Sequence, residues 1–265
     1  MRRRILITGA SAGLGRGMAW EFARRGRDLA LCARRQNLLE ELRDELLAEY
    51  PGISVSVRTL DVTDHPAVFK VFGEFAAEPG GLDRIVVNAG SSRGRPVGTG
   101  EFELNRRTAE TNFTAVLAQC EAALEIFRAR GAGHLVLISS VCALRAFPQN
   151  LTTYAASKAA VLALGEGMRA DLMGTPIAVT TLLPGYIRSE TQTAQGPLVA
   201  DFERGCRALA KVIEHEPARA CVPAWPPWWL FGLGMRVLPL RIVSRFGGTA
   251  QRSRVALTDS AGAAP

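Results

Sequence analysis

Short apolar runs alternate with amphipathic segments along most of this chain, and this alternation limits the fold more than any other feature. Residues 5–8 and 28–33 are apolar runs of the kind found in strands buried on both faces of a parallel sheet. Residues 14–26 and 37–50 follow them with helical spacing. Because right-handed crossovers place helices on both faces of such a sheet, the pattern predicts a doubly wound α/β domain.

The same alternation continues to a total of about seven strands. Further strands are predicted at residues 53–60, 84–87, 133–140 and 177–183 and around Cys221. Helices are predicted at residues 65–77, 101–130, 152–173 and 198–214. A chain of 265 residues suits one domain of this type. We therefore expect a single catalytic domain over residues 1–223 and a C-terminal extension over residues 224–265.

The chain is basic, and the position of its charge limits the partners. Its formal net charge is +7 and its pI is about 9.6, values compatible with nucleic acid, an anionic membrane surface or a phosphorylated ligand. Residues 224–258 hold five arginines and no acidic residue, so much of the excess belongs to the extension. No predicted helix carries a run of basic residues interleaved with aromatics, and we expect no nucleic-acid partner.

Cysteine usage and the N-terminus both indicate a cytoplasmic protein. The five cysteines are odd in number and scattered, without C-x-x-C spacing or a neighbouring histidine. They predict neither a disulfide framework nor a metal site. Three arginines near the N-terminus precede only three apolar residues, which is too short for the apolar region of a signal peptide.

A glycine-rich turn joins the first predicted strand to the first predicted helix. Its sequence, Thr8-Gly9-Ala10-Ser11-Ala12-Gly13-Leu14-Gly15, has the spacing G-x-x-x-G-x-G and departs from the common G-x-G-x-x-G fingerprint. Backbone N–H groups at a helix N-terminus favour a pyrophosphate, and glycines allow close approach. The turn therefore predicts a Rossmann-like dinucleotide site, the alternative being a plain turn.

The end of the second predicted strand distinguishes the two nicotinamide dinucleotides. An acidic residue there would hold the ribose 2′-hydroxyl of NAD, whereas this chain has Ala33-Arg34-Arg35. A guanidinium can bind a 2′-phosphate through two hydrogen bonds. The sequence therefore favours NADP(H), the alternative being that both arginines are only solvated surface charges.

Tyr154 and Lys158 lie four residues apart on a predicted helix, so both side chains can reach one ligand. A phenol titrates near 10, and a nearby cation favours the phenolate. We therefore expect Lys158 to lower the pKa of Tyr154, which would make the phenol an acid or base closer to neutral pH. Lys158 is one of only three lysines in the chain.

These motifs, taken in order and spacing, resemble the classical short-chain dehydrogenase/reductase family over about residues 3–222. The resemblance implies that Ser140 binds the substrate oxygen, Tyr154 exchanges the proton, Lys158 holds the nicotinamide ribose, and Asn112 positions a water molecule. It also implies a set of cofactor-binding residues. These are Gly9, Ser11, Gly13, Leu14, Gly15, Arg34, Arg35, Asp61, Val62, Asn88, Ala89, Gly90, Tyr154, Lys158, Pro184, Gly185, Ile187 and Ser189.

The chain departs from the family pattern at three places. Ser140 precedes Tyr154 by fourteen residues where thirteen is commoner, which leaves Ser139 as an alternative, and we favour Ser140. Ser189 stands where threonine is frequent, and it keeps the hydroxyl. The third departure is the extension over residues 224–265.

The extension is apolar, aromatic and basic, but prolines and arginines interrupt it before a span of ~20 apolar residues is reached. It suits either a lid or subunit contact, or a segment lying on a membrane surface. The sequence as a whole predicts an NADP(H)-dependent carbonyl reductase or alcohol dehydrogenase with an apolar or acyl-type substrate, assembled as a homodimer or homotetramer. The alternatives are a non-catalytic NADP(H)-binding regulator and a membrane-associated scaffold.

Overall fold

One parallel sheet of seven strands organises the chain, as the sequence predicts. The computed structural model describes residues 2–92, 94–145, 149–188 and 199–222, with Gly234, Pro239 and Arg241 beyond them; the remainder of the extension lies outside the described residues. The strand order is β3-β2-β1-β4-β5-β6-β7. The strands are β1 (Arg4–Thr8), β2 (Asp28–Ala33), β3 (Val55–Thr59), β4 (Arg84–Val87), β5 (Gly133–Ile138), β6 (Ile177–Pro184) and β7 (Arg219–Val222).

Helices cover both faces of this sheet and create two hydrophobic cores. Within β1, Leu6 belongs to one core, whereas Ile5 and Ile7 belong to the other, because successive strand residues point to opposite faces. The first core is closed by α3, α5 and α6, and the second by α1, α2 and α7. The helices are α1 (Gly13–Ala23), α2 (Gln36–Glu49), α3 (His65–Ala77), α4 (Phe102–Ala109), α5 (Ala115–Arg130), α6 (Thr152–Asp171) and α7 (Phe202–Glu214).

The prediction of one continuous helix over residues 101–130 was wrong. A π-helical turn, Glu110–Thr114, separates α4 from α5. A π-turn shifts the backbone hydrogen bonds by one residue, so it changes which side chains face inward. Periodicity alone does not reveal it, because apolar spacing is similar before and after the turn.

Several other boundaries also differ from the sequence prediction, and that of α7 has a local cause. Strand β5 ends at Ile138, before Ser139 and Ser140. Helix α7 begins at Phe202 because the carboxylate of Asp201 accepts a hydrogen bond from the backbone N–H of Arg204 at 2.8 Å. This hydrogen bond caps the amino end of the helix.

Candidate active site

The carboxyl ends of the parallel strands meet along one edge of the sheet, and the place between β1 and β4 is where doubly wound sheets form a ligand crevice. The strand order reverses there, since β1 pairs with β2 on one side and with β4 on the other. Ligands of doubly wound sheets bind at such a reversal. The glycine-rich turn follows β1 and Asn88 follows β4, so the two predicted motifs are neighbours in space.

The glycine-rich turn depends on glycine for both conformation and space. Gly9 and Gly13 have φ angles of +67° and +54°, in the left-handed region that favours glycine. A Cβ on Gly15 would collide with the carbonyl oxygen of Gly9 and would stand 2.8 Å from Nδ2 of Asn88. The turn is therefore packed against Asn88 without room for a side chain at Gly15. Ser11 lies within the turn, and Leu14 lies in the first turn of α1.

Helix α1 leaves the N–H groups of its first turn available to a ligand. Ala12 precedes the helix without a capping side chain, and the first turn holds no acidic residue. The first N–H groups of a helix have no partner within the helix and carry a partial positive charge. Together with the glycine turn, this end of α1 fits the pyrophosphate of a dinucleotide.

Asn88 and Thr8 hold the ends of β4 and β1 together beside the turn. Nδ2 of Asn88 donates to the carbonyl oxygen of Thr8 at 2.9 Å. The hydroxyl of Thr8 accepts the backbone N–H groups of Asn88 and Ala89 at 3.0 and 3.1 Å. Sequence reasoning missed the role of Thr8, although a threonine that ends a buried strand was a visible signal.

The end of β2 presents two exposed arginines to the glycine-rich turn. Arg35 donates from Nε and Nη2 to the hydroxyl of Ser11, at 3.3 and 3.1 Å. Arg34 is exposed beside it. After β3, Asp61 accepts the backbone N–H of Thr63 at 3.0 Å and its hydroxyl at 2.8 Å, which orders the loop that contains the buried Val62.

Ser140, Tyr154 and Lys158 come together at the ends of β5 and α6. The hydroxyl of Ser140 lies close enough to the phenol of Tyr154 to lower its pKa. Nζ of Lys158 lies 5.9 Å from the centre of the Tyr154 ring and donates to the carbonyl oxygen of Ile138 at 2.8 Å. The hydroxyl of Ser139 instead donates to the backbone oxygen of Lys158 at 2.8 Å. Of the two serines, Ser140 is therefore the one beside the phenol.

Burial is the largest influence on the pKa values of Tyr154 and Lys158. Burial raises the pKa of Tyr154 above its usual value, and the hydroxyl of Ser140 offsets only part of this. Burial lowers the pKa of Lys158 to about 8. Desolvation of the phenolate dominates the pKa of Tyr154 in the protein alone. The lowering expected from Lys158 together with oxidised nicotinamide stays a prediction.

Asn112 occupies the π-helical turn and connects two parts of the site. Its side-chain oxygen accepts the N–H of Ser91 at 2.8 Å, and its Nδ2 donates to the carbonyl oxygen of Ser91 at 2.7 Å and to the hydroxyl of Ser157 at 3.2 Å. A Cβ on Gly90 would lie 3.2 Å from Oδ1 of Asn112 and 3.5 Å from Nζ of Lys158. Asn112 and Lys158 therefore line the same side of Gly90. Ser91 and Ser157 were not predicted.

The segment after β6 completes the crevice. Pro184 ends the strand, and the N–H of Gly185 donates to the carbonyl oxygen of Val222 at 2.8 Å. Ile187 is buried and forms a β-bridge with Ala200. Ser189 lies outside the described residues. The structure thus brings the predicted residues at the ends of β1, β2, β4, β5 and β6 to one edge of the sheet.

Cys142 and Tyr186 also lie in this site, although sequence reasoning did not predict them. The backbone N–H of Cys142 donates to the hydroxyl of Ser140 at 3.2 Å. The thiol of Cys142 is close enough to Tyr154 and Tyr186 for its negative form to raise the pKa of both phenols further, after burial. Cys142 follows Ser140 by two residues, a spacing that could have indicated its position.

A second cleft, of about 500 Å³, opens at the opposite, amino end of the strands and has a structural explanation. Its arginines pair with its own carboxylates; Arg84 bonds Glu216 at 3.0 Å, for example. Nε of Arg84 also donates to Nδ1 of His134 at 2.7 Å. Burial, followed by the charge of Arg84, lowers the pKa of His134 to about 3, so this histidine stays neutral.

The described part of the chain contains neither a membrane-spanning helix nor a metal-binding cluster. No helix within it combines the length and the apolar character needed to cross a bilayer. The described side chains also include no group of three or more His, Cys, Asp or Glu arranged to hold a metal ion.

Comparison with known proteins identifies similar chains over most of the length. A family model described as short chain dehydrogenase matches residues 3–197. An uncharacterised oxidoreductase of Mycobacterium tuberculosis is 52% identical over 247 residues, which are 92% of this chain and 97% of the relative. An uncharacterised oxidoreductase of Myxococcus xanthus is 34% identical over 255 residues, 95% of this chain and 98% of the relative.

Solved structures show the same similarity. A short-chain dehydrogenase from Sphingobium yanoikuyae in complex with NADPH has a TM-score of 0.75 at 29% identity, covering 88% of this chain and 93% of that chain. A short-chain dehydrogenase from Streptomyces avermitilis has a TM-score of 0.76 at 26% identity, covering 97% and 99%.

Proposed function

Because this chain belongs to the short-chain dehydrogenase/reductase family and is an oxidoreductase of that type, we propose that it is an NADP(H)-dependent carbonyl reductase or alcohol dehydrogenase. Its reaction is hydride transfer between nicotinamide and a ketone or secondary alcohol. The observation that carries this proposal is the position of Ser140 and Lys158 beside the phenol of Tyr154, at the same edge of the sheet as the glycine-rich turn.

The proton chemistry suits reduction of a carbonyl group. Burial keeps Tyr154 protonated at neutral pH, so its hydroxyl is ready to donate to a carbonyl oxygen. The hydroxyl of Ser140 is placed to bind the same oxygen. When bound, the nicotinamide supplies or accepts the hydride. Lys158 would bind the nicotinamide ribose, and Asn112 would position the water through which Lys158 exchanges protons with solvent.

The residues around the crevice fit a dinucleotide. Gly9, Gly13 and Gly15 leave the backbone accessible at the uncapped end of α1, which favours the pyrophosphate. In this proposal the adenine contacts Asp61 and Val62. The nicotinamide half lies along two further segments, which are residues 88–90 (Asn88, Ala89 and Gly90) and residues 184–189 (including Pro184, Gly185, Ile187 and Ser189).

The arginines after β2 favour NADP(H) over NAD(H). Arg34 and Arg35 are exposed, and the bond from Arg35 to Ser11 holds a guanidinium across the entrance to the glycine-rich turn. The residue before them is Ala33 and not an aspartate or glutamate, so no carboxylate at that position would repel a 2′-phosphate. The relative from Sphingobium yanoikuyae, 29% identical, was solved with NADPH, which supports the same cofactor class. We expect Arg34→Asp to shift the ratio of dissociation constants toward NADH, measured by fluorescence titration.

Apolar side chains beside Ser140 favour an apolar substrate. Tyr186, Leu144 and Cys221 pack against a small cluster of buried residues that includes Val141 and Leu183. This wall offers contact area to an alicyclic or lipid-derived ketone and few hydrogen-bonding partners. An acyl-type substrate shares this requirement for an apolar contact.

The test of the proposed reaction is a panel of ketones and secondary alcohols assayed with NADPH and NADP⁺. Tyr154→Phe removes one hydroxyl and little volume, so it should abolish turnover and spare NADPH binding. Ser139→Ala is a matched control, because Ser139 bonds the backbone of Lys158 rather than the phenol. Undiminished turnover in Tyr154→Phe would overturn the proposal, as would NADPH binding without turnover of any carbonyl compound.

The domain boundary, assembly and location are part of the same proposal. We place the catalytic domain over residues 1–223, with a homodimer or homotetramer formed through the α4–α5 and α6 surfaces, where Phe102 and Leu117 are exposed apolar side chains. Light scattering after gel filtration measures this assembly. A cytoplasmic protein with peripheral membrane contact through residues 224–265 would float with anionic liposomes, and it would stop doing so when those residues are deleted.

A further inference from the structure

None of the residues assigned above to the cofactor or the substrate lies on helix α7. The helix nevertheless packs directly against one of them, Ile187. A Cβ on Gly205 would stand 2.5 Å from Cγ2, 2.9 Å from Cγ1 and 3.0 Å from Cδ1 of Ile187. These distances are shorter than van der Waals contacts, so the Ile187 side chain rests directly on the backbone of α7. Ile187 is 4% exposed, so its side chain is packed on most sides and does not move without displacing its neighbours.

The backbone of Ile187 is tied to the start of the same helix. Ile187 forms a β-bridge with Ala200, in which the N–H of Arg188 donates to Ala200 at 2.9 Å and the N–H of Ala200 donates to Tyr186 at 2.9 Å. The next residue, Asp201, caps α7. Both the side chain and the backbone of Ile187 therefore take their position from α7.

Helix α7 is in turn held on α1, the helix that begins at the glycine-rich turn. A Cβ on Gly17 of α1 would collide with Sγ of Cys206 and would stand 2.8 Å from Cζ of Phe202. At the other end of α7, Glu214 accepts a hydrogen bond from Nη2 of Arg27 at 2.6 Å. Packing on α1 at one end and an ion pair with Arg27, which lies between α1 and β2, at the other fix the position of α7.

We infer that Gly205 is a positioning residue, which sets the distance between Ile187 and the glycine-rich turn. The inference rests on the proposed function, in which the turn holds the pyrophosphate and Ile187 lies beside the nicotinamide of the same molecule. A side chain at residue 205 pushes Ile187 toward the crevice and displaces the nicotinamide relative to Tyr154. A misplacement of about 1 Å can reduce a rate by about 100-fold, so shifts of a few tenths of an ångström are measurable.

The experiment compares Gly205→Ala with Gly73→Ala. Gly73 is an exposed helical glycine at which a Cβ would meet nothing within 4 Å, so this control tests the substitution without the contact. We expect Gly205→Ala to lower kcat by about tenfold and to raise the primary isotope effect with 4-deuterated NADPH, because hydride transfer becomes slower. Gly73→Ala should keep the wild-type kcat and isotope effect.

A double variant tests whether the loss of kcat in Gly205→Ala is caused by the contact with Ile187. Ile187→Ala removes all three atoms that the new Cβ would meet, so Gly205→Ala should cost no further activity in that background. The melting temperature of the cofactor-free protein should show the same coupling. An equal loss of kcat in both backgrounds, or no loss in Gly205→Ala alone, overturns the inference. If Gly205→Ala does not fold, the comparison of Ile187→Ala with the double variant still decides, since the two should match.

The wild type, Gly205→Ala, Ile187→Ala and the double variant also separate this inference from the proposed function. A wild-type protein that binds NADPH but reduces no carbonyl compound contradicts the proposed function. The dissociation constant for NADPH then tests the inference: it should rise in Gly205→Ala and return in the double variant to the value of Ile187→Ala. A dissociation constant that is unchanged in Gly205→Ala would in that case refute it.

Discussion

Replacing Lys158 by methionine should remove the activity and stabilise the protein in a pH-dependent way. Lys158 is 4% exposed, and burial lowers its pKa from the usual 10.5 to about 8. Each unit of pKa corresponds to about 1.4 kcal/mol, so the charged ammonium costs the folded state about 3 kcal/mol. Methionine keeps the length of the side chain without the charge, but it leaves the Ile138 carbonyl without its hydrogen-bond donor. The loss of this hydrogen bond destabilises the variant by about 1–3 kcal/mol and offsets that much of the gain.

The dependence on pH isolates this contribution from the rest of the site. Since the pKa of Lys158 is lower in the folded chain, the unfolded chain binds more protons between pH 8 and 10.5, and the wild type gains stability there as pH rises. The variant lacks this gain. The raised pKa of Tyr154 opposes this gain in stability above pH 10. Because Tyr154 is present in both proteins, its contribution cancels in the difference.

Urea denaturation of both proteins at pH 7 and at pH 10 measures the effect. We expect the wild type to gain about 2–3 kcal/mol relative to Lys158→Met over this interval, equivalent to roughly 4–12 °C in melting temperature for a domain of this size. Turnover should be lost at both pH values. A stability difference that is the same at pH 7 and pH 10 would show that the ammonium is not desolvated and would refute the reasoning.

Three further outcomes follow from the described contacts. Thr8→Val removes the acceptor of two backbone N–H groups and should cost about 2–4 kcal/mol in urea denaturation, while Thr8→Ser should cost far less; equal losses would contradict this. Gly15→Ala should destabilise the fold by about 1–3 kcal/mol through overpacking and weaken NADPH binding in fluorescence titration, and unchanged binding would count against the crowded turn. Burial raises the pKa of three thiols to about 12, so these should react with a thiol reagent at pH 8 only after denaturation; prompt reaction in the folded protein would show that they are accessible. They are Cys32, Cys120 and Cys206.

The strands, the helices and the family could be predicted from the sequence because each depends on patterns of residues that are close together in the chain. Apolar runs such as residues 28–33 encode buried strands, and helical spacing encodes the segments between them. Alternation then leaves few topologies, since crossovers in parallel sheets are right-handed. The glycine-rich turn and the Tyr154–Lys158 pair were recognisable for the same reason, because their spacing is short.

The arrangement of the site depended on contacts between residues far apart in the chain. Only the tertiary structure showed that Ser140 rather than Ser139 meets Tyr154, because the order of two adjacent serines does not determine which one faces the helix opposite. The same holds for the support of Ile187 by Gly205. The effect of burial on the pKa of Tyr154 was also visible only in the tertiary structure, since desolvation is a property of the assembled core and has no local signature in the sequence.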